Sequence, residues 1–303
     1  MVADVEKVID EIKGICRVER NYPLSLLTSF GIGGPADLVL FPSSKEQLIR
    51  VLQILAETEI PVYVLGKGTN VLASDDGFSG AVVVIGEGLD GIVKLGGGVW
   101  VFEAGLSLSR AISTVAKDGF GGLEPLAGIP GSVGGAVAMN AGAYGVEIAD
   151  ELMELEIWMG GSKTKVLRKA DLVIDYRGIG IPSGSVILSA KFELPKVGAK
   201  YALERINYFK TLRAESQPID AKCAGCIFRN PPGLHAGKLI DDAGLKGKQI
   251  GGAKISEKHA NFIVNVGGAT ARDVMSLVGL IRDVVYKKFG VKLELEIKIL
   301  GNI

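Results

Sequence analysis

Apolar residues at Val5, Val8, Ile9 and Ile12, halted at Gly14, fall at helical spacing and predict a short amphipathic helix. A capping-box pattern, Ser43 and Glu46, stands ahead of Leu48, Val51, Leu52 and Leu55 and predicts a second. The period then shortens, and PVYVL (61–65) predicts a strand. Between residues 60 and 195 the runs AVVVIG, IVKLGGGVWVFEAG, LMELEIWMG and VILSAKFELP read as strands divided by glycine turns, with one helix at Leu108–Lys117. After Pro195 the texture turns helical. AKYALERINYFKTLRAESQP predicts a charged helix, and Thr270 caps a longer one whose Val274, Leu277, Val278, Ile281 and Val285 share a face. In the closing VKLELEIKIL, Val291, Leu293, Leu295, Ile297 and Ile299 alternate with charges, predicting a half-buried strand. The whole pattern predicts an α+β fold, with a boundary near 198 dividing residues 1–198 from 199–303.

The length of 303 residues agrees with two domains at a prior of roughly 150 residues each. Lys plus Arg and Asp plus Glu both total 34, so no basic excess points to nucleic acid or an anionic membrane surface. Three cysteines cannot make a secreted disulfide scaffold, and MVADVEKVIDEIKG carries acids where a signal peptide would be cationic and then apolar, so a cytoplasmic protein is expected. PLAGIPGSVGGAVAMNAGAYGV (125–146) has no charge over a length that could span a bilayer. Its two prolines and six glycines predict buried loop backbone instead, and no membrane insertion.

Candidate chemistry sits in the glycine runs and the cysteines. Gly86, Gly88 and Gly91 spell G-x-G-x-x-G, but a strand pattern follows where a dinucleotide fold needs a helix. LGKGTN (65–70) is a better anion cradle, since successive N–H groups of such a turn can hold phosphate oxygens; an ordinary glycine turn is the alternative. GIPGSVGGAVAMNAGAYG (128–145) offers a second stretch of approachable backbone. Two such runs flanking β-rich segments suggest a large ligand with a diphosphate. Cys223 and Cys226 form a C-x-x-C pair, readable as a dithiol or as half of a zinc site with His235 and His259. The spacing is unlike a compact zinc finger, and CIFRNPPG reads as a strand entering a proline turn, so no metal is expected.

PLSLLTSFGIGGPADL (23–38), LGKGTNVL (65–72), GIPGSVGGAVAMNAGAYG, YRG (176–178), GCIFRNP (225–231), AGKLIDDAGLKG (236–247), GGAKISEKHANFIVN (251–265) and LELEIKILG (293–301) occur together in the order of one family. The chain resembles the UDP-N-acetylenolpyruvoylglucosamine reductase (MurB) family, in its shorter subtype. The resemblance implies a two-part FAD-binding region of the MurB/vanillyl-alcohol-oxidase-like type in residues 1–198, split near 75, and a C-terminal α+β substrate-binding domain in 199–303. It implies non-covalent FAD, NADPH as co-substrate and a UDP-sugar enolpyruvyl ether as substrate. Another FAD oxidoreductase of the same architecture is the alternative. Cofactor contacts implied are Gly66, Lys67, Gly68, Thr69, Asn70, Gly128, Ile129, Pro130, Gly131, Gly134, Gly135 and Asn140. Arg177 and Glu296 would flank the substrate carboxylate and the developing enol, the arginine as a permanent planar cation and the glutamate as a proton-bearing donor whose pKa burial would raise. Tyr176, Arg213 and Asn230 are implied substrate contacts. Cys226 stands where relatives usually carry the serine that protonates the enolate carbon; a thiol of pKa about 8.5 stays protonated at neutral pH and is a stronger acid than a hydroxyl. Cys223 is then a bystander, and His259 has no assigned role.

Overall fold

The computed structural model describes residues 2–161 and 163–303, with side chains from Glu6 on. The chain forms two compact units. The first gathers Met1–Arg20, Leu38–Lys67 and Gly80–Leu212; the second gathers Asn21–Asp37, Gly68–Ser79 and Arg213–Ile303.

Unit 1 holds two sheets and most of the helices. Helix α1 (Val2–Lys13) lays Ile9 and Ile12 into the core, while the Val5 side chain lies outside the described residues. Helix α2 (Lys45–Ala56) buries Leu48, Val51, Leu52 and Leu55 as the spacing requires. Its cap sits one residue later than the sequence suggests. Ser44 accepts the N–H of Gln47, and Gln47 reaches back to the N–H of Ser43 at 2.8 Å, because Ser44 places its oxygen over the third helical residue. Strands 17–23, 35–41, 78–84 and 62–65 make a four-stranded sheet in that order, with Val62 opposite Ala81 in a parallel pair. A five-stranded antiparallel sheet runs 164–168, 152–158, 186–193, 99–103 and 92–96. Phe102 and Phe192, facing across it with ring centroids 5.5 Å apart, anchor its core.

Helix α3 (Leu108–Lys117) matches its expected range, while α4 (Val133–Ala138) was not foreseen. Gly134 and Gly135 read as breakers, yet Ser132 caps the helix and Gly134 packs where a Cβ would meet that of Ala104 at 2.7 Å. No helix among the described residues is long and apolar enough to cross a membrane. The third glycine of G-x-G-x-x-G leads into strand 92–96, as the pattern predicts. Helix α5 (Ala199–Ser216) corrects the boundary at 198, because Ala202 and Ile206 are buried in the core of unit 1 and hold the chain there as far as Leu212. The split near 75 is corrected too, since 38–67 and 80–212 share that one core.

Unit 2 has its own core, in which Phe30, Ile32 and Leu72 from early segments pack with Ile227, Phe228, Val274, Leu277 and Ile281. It holds α6 (Ala236–Asp242) and α7 (Ala271–Phe289), and Thr270 caps α7 as predicted. Asp75 adds a second cap, accepting the N–H groups of Ala271 and Arg272 at 2.7 and 3.1 Å. The closing alternation does bury Leu293 and Ile297 but is not one strand. Residues 294–296 pair antiparallel with 227–229, then Lys298–Leu300 pairs parallel with Val71–Ala73. The segment changes partner at Ile297, which ends any single ladder.

Candidate active site

The glycine loops meet inside unit 1. Gly66 follows strand 62–65, and a Cβ there would lie 2.6 Å from Ser132 Oγ, so Gly66 and the GIPGS loop press together with no room for a side chain between them. Among the described residues the backbone N–H groups of Gly66 and Lys67 have no protein acceptor. Gly128, Ile129, Pro130 and Gly131 form the turn ahead of α4, with Gly128 at φ 86°. A backbone cradle of this kind fits a diphosphate-bearing cofactor.

Gly68, Thr69 and Asn70 belong to unit 2. Gly68 is held at φ 60°, and a Cβ would fall 2.0 Å from the Leu27 carbonyl oxygen, so only glycine fits. Asn70 Nδ2 donates to the Glu296 carbonyl at 3.2 Å, and the Asn70 carbonyl accepts the Lys298 N–H, so Asn70 braces the strand that carries Glu296.

Asn140 is a correction. It is fully buried, its Nδ2 donates to Glu147 Oε2 and to the Asp175 carbonyl, and its Oδ1 accepts the Ala149 N–H. With those groups spent inside the protein, its side chain cannot face a cofactor. It anchors instead the root of a two-strand hairpin, 173–175 with 178–180, whose turn is Tyr176–Arg177. There Arg177 lies over the Tyr176 ring, 4.2 Å from its centroid, and Nη1 donates to the Tyr176 carbonyl at 3.0 Å. Tyr176 is exposed, so it is a platform for the guanidinium and not part of a core.

In unit 2, Cys226 bridges Phe262, while the Glu296 N–H donates to the Ile227 carbonyl and the Arg229 N–H to the Glu294 carbonyl. Glu296 therefore lies opposite Ile227, the residue after Cys226, on an adjacent extended segment. Asn230 is exposed, and its Oδ1 accepts the Ala236 N–H at 3.0 Å, capping α6, so a substrate contact from it would use Nδ2. Arg213 is buried and reaches Gln217 Oε1 at 2.9 Å. All three cysteines are free thiols. Burial pushes the Cys223 thiol above its ordinary value, and its carbonyl accepts Ser29 Oγ. Among the described residues no group of three or more His, Cys, Asp or Glu is placed to hold a metal.

Asn261 escaped the sequence reading, and His259, which that reading left without a role, is its neighbour in the structure. Asn261, 3% exposed, clasps the backbone of Phe228, and His259 Nδ1 accepts the Asn261 N–H at 3.2 Å. The available signal was an asparagine between Ala260 and Phe262 in a buried run, since a buried amide must be hydrogen-bonded.

A glycine-rich backbone cradle with N–H groups left for a diphosphate, set in an α+β unit, agrees with one class, the flavin-dependent oxidoreductases. Residues 36–168 match the FAD binding domain, and residues 217–300 match the C-terminal domain of UDP-N-acetylenolpyruvoylglucosamine reductase. The chain belongs to the UDP-N-acetylenolpyruvoylglucosamine reductase family. It is 40% identical to the reductase of Caldanaerobacter subterraneus subsp. tengcongensis over 98% of this chain and 99% of that protein. It is 42% identical to that of Latilactobacillus sakei subsp. sakei over 94% of each. The crystal structure of the Thermus caldophilus enzyme superposes with a TM-score of 0.82 at 37% identity, covering 94% of this chain and 100% of that one. An alkyldihydroxyacetonephosphate synthase shares the fold alone, with a TM-score of 0.50 at 16% identity over 63% of this chain and 40% of that one.

Proposed function

We propose that this chain uses NADPH to reduce the enolpyruvyl ether of UDP-N-acetylglucosamine enolpyruvate to UDP-N-acetylmuramate, a peptidoglycan precursor. The observation that supports the reading is the backbone pairing in unit 2, which brings Glu296 opposite Ile227, the residue that follows Cys226. FAD, when bound, supplies the hydride chemistry between NADPH and the double bond. Hydride on one carbon leaves an electron pair on the other, conjugated with the carboxylate. The protein must steady that charge and then protonate carbon.

In our assignment Arg177, its planar fork braced over Tyr176, meets the substrate carboxylate. Glu296, carrying its proton, donates to the enol oxygen. Cys226 gives its S–H proton to carbon, and solvent reprotonates the thiolate. One hydride and one proton are added, and NADPH leaves as NADP+. Gly66, Lys67, Gly68 and Thr69, with Gly128–Gly131, Gly134 and Gly135, are assigned to FAD; Arg213 and the Asn230 amide are assigned to the UDP-sugar. The reaction is proposed to run in the cytoplasm, a reading supported by a chain with only three cysteines, all free.

Purified protein should be yellow and should oxidise NADPH only when the enolpyruvyl UDP-sugar is present. A colourless preparation, or NADPH oxidation indifferent to the sugar, overturns the reading.

A further inference from the structure

Within unit 1, Gly142–Ala143 pairs antiparallel with Val146–Glu147 in a short hairpin, Gly142 opposite Glu147. Gly142 is not among the glycines at positive φ, so its backbone is open to any residue and space alone decides what fits there. A Cβ on Gly142 would meet three atoms almost at once: Glu147 Cγ at 3.2 Å, Arg177 Nη1 at 3.3 Å and the Val146 carbonyl oxygen at 3.3 Å. Comfortable contacts of such atoms begin near about 3.5 Å, so something would have to yield.

The three neighbours differ in how readily they move. The Val146 carbonyl is main chain in the hairpin. Glu147 is fastened at both ends, its Oε2 accepting Asn140 Nδ2 at 2.6 Å and its N–H donating to Asp150 Oδ2 at 2.8 Å, and Asn140 is itself fully buried. Arg177 Nη1 is the far end of a long side chain carried on a turn, so a side chain at position 142 shifts the guanidinium first. The guanidinium is bounded by the Tyr176 ring, by the Tyr176 carbonyl that accepts Nη1, and by the bare backbone of Gly142.

We propose that Gly142 is a positioning residue for Arg177: its missing side chain keeps open the seat in which the guanidinium lies, and so fixes where the substrate carboxylate is met. The proposal rests on Arg177 as the group that meets that carboxylate, so the test separates the two.

In the FAD-loaded enzyme, Gly142→Ala should leave flavin reduction by NADPH within about twofold and slow reoxidation by the enolpyruvyl UDP-sugar about tenfold; Gly142→Val should slow it about 100-fold, the effect of roughly 1 Å of misplacement. In an Arg177→Ala background neither substitution should cost more than about twofold further, because both changes act through one group. Phenylglyoxal, with the modified arginine located by peptide mapping, reads the placement of the guanidinium independently of turnover. Its rate at Arg177 should rise severalfold in Gly142→Ala, whose methyl group unseats the head of that side chain. Should the valine variant fail to fold, the alanine variant carries every one of these comparisons. Equal slowing of both half-reactions, a Gly142 penalty undiminished in the Arg177→Ala background, or an unchanged phenylglyoxal rate overturns the proposal. An Arg177→Ala enzyme with normal reoxidation removes the carboxylate reading instead, and phenylglyoxal still decides whether Gly142 seats the guanidinium.

Discussion

Cys226 and Cys223 look equivalent as letters and differ in everything that surrounds them. Cys226→Ser should keep substantial turnover, because a short proton-bearing side chain remains, whereas Cys226→Ala should reduce its flavin with NADPH and stall on the sugar. Rapid-mixing measurement of the two half-reactions distinguishes these outcomes. Cys223→Ala should be as active as the parent, since that thiol is held protonated by burial and lies outside the ladder; lost activity would revive the dithiol. His259 is held neutral, its pKa lowered by burial first and by the Lys246 ammonium second, and its Nδ1 serves as an acceptor. Because the unfolded imidazole takes a proton near its ordinary value of about 6.5 and the folded one does not, the unfolded state binds more protons there. Stability should therefore fall as pH drops from about 6.5 toward the lowered folded value. Thermal melts across that range should show a shallower acid decline in His259→Gln, which keeps an acceptor and cannot protonate.

At the scale of single elements, the hairpin bearing Arg177 depends on Asn140. Asn140→Ala strands the Ala149 N–H and the Asp175 carbonyl and removes the amide from Glu147, at a cost of about 2–3 kcal/mol. Urea unfolding should show that loss, and the variant should still bind FAD. If FAD titration instead showed affinity gone with stability intact, Asn140 would be a cofactor ligand after all. The helices were the most legible elements, because their apolar spacing is local: α3 and α7 stand where Leu108–Lys117 and the Thr270 cap predict. The final strand was legible as a burial pattern and not as an element, since Leu293 and Ile297 alternate correctly whichever partner they meet. Partner choice is long-range information. For the same reason the C-x-x-C spacing said little, while the clasp between Asn261 and Phe228 was invisible in either segment alone.

The whole molecule divides in a way that no composition shift announces, because unit 2 is assembled from three separated stretches of chain. The family resemblance located the candidate residues by motif; it could not show that Asn140 is buried or that α5 stays with unit 1 as far as Leu212. A ligand that binds only the folded protein stabilises it, so FAD at a hundredfold excess over its dissociation constant should contribute about 2.7 kcal/mol and raise the melting temperature by about 4 °C. Calorimetry with and without FAD checks this, and an unmoved transition would show that the cradle is not occupied. The discontinuous make-up of unit 2 also bears on how the protein is born. Phe30, Ile32 and Leu72 leave the ribosome early, yet their packing partners Ile227, Phe228 and Val274 follow only after most of unit 1 has been translated. At roughly 5–20 residues per second that wait is on the order of ten seconds, during which these side chains are exposed to chaperones and to neighbouring nascent chains.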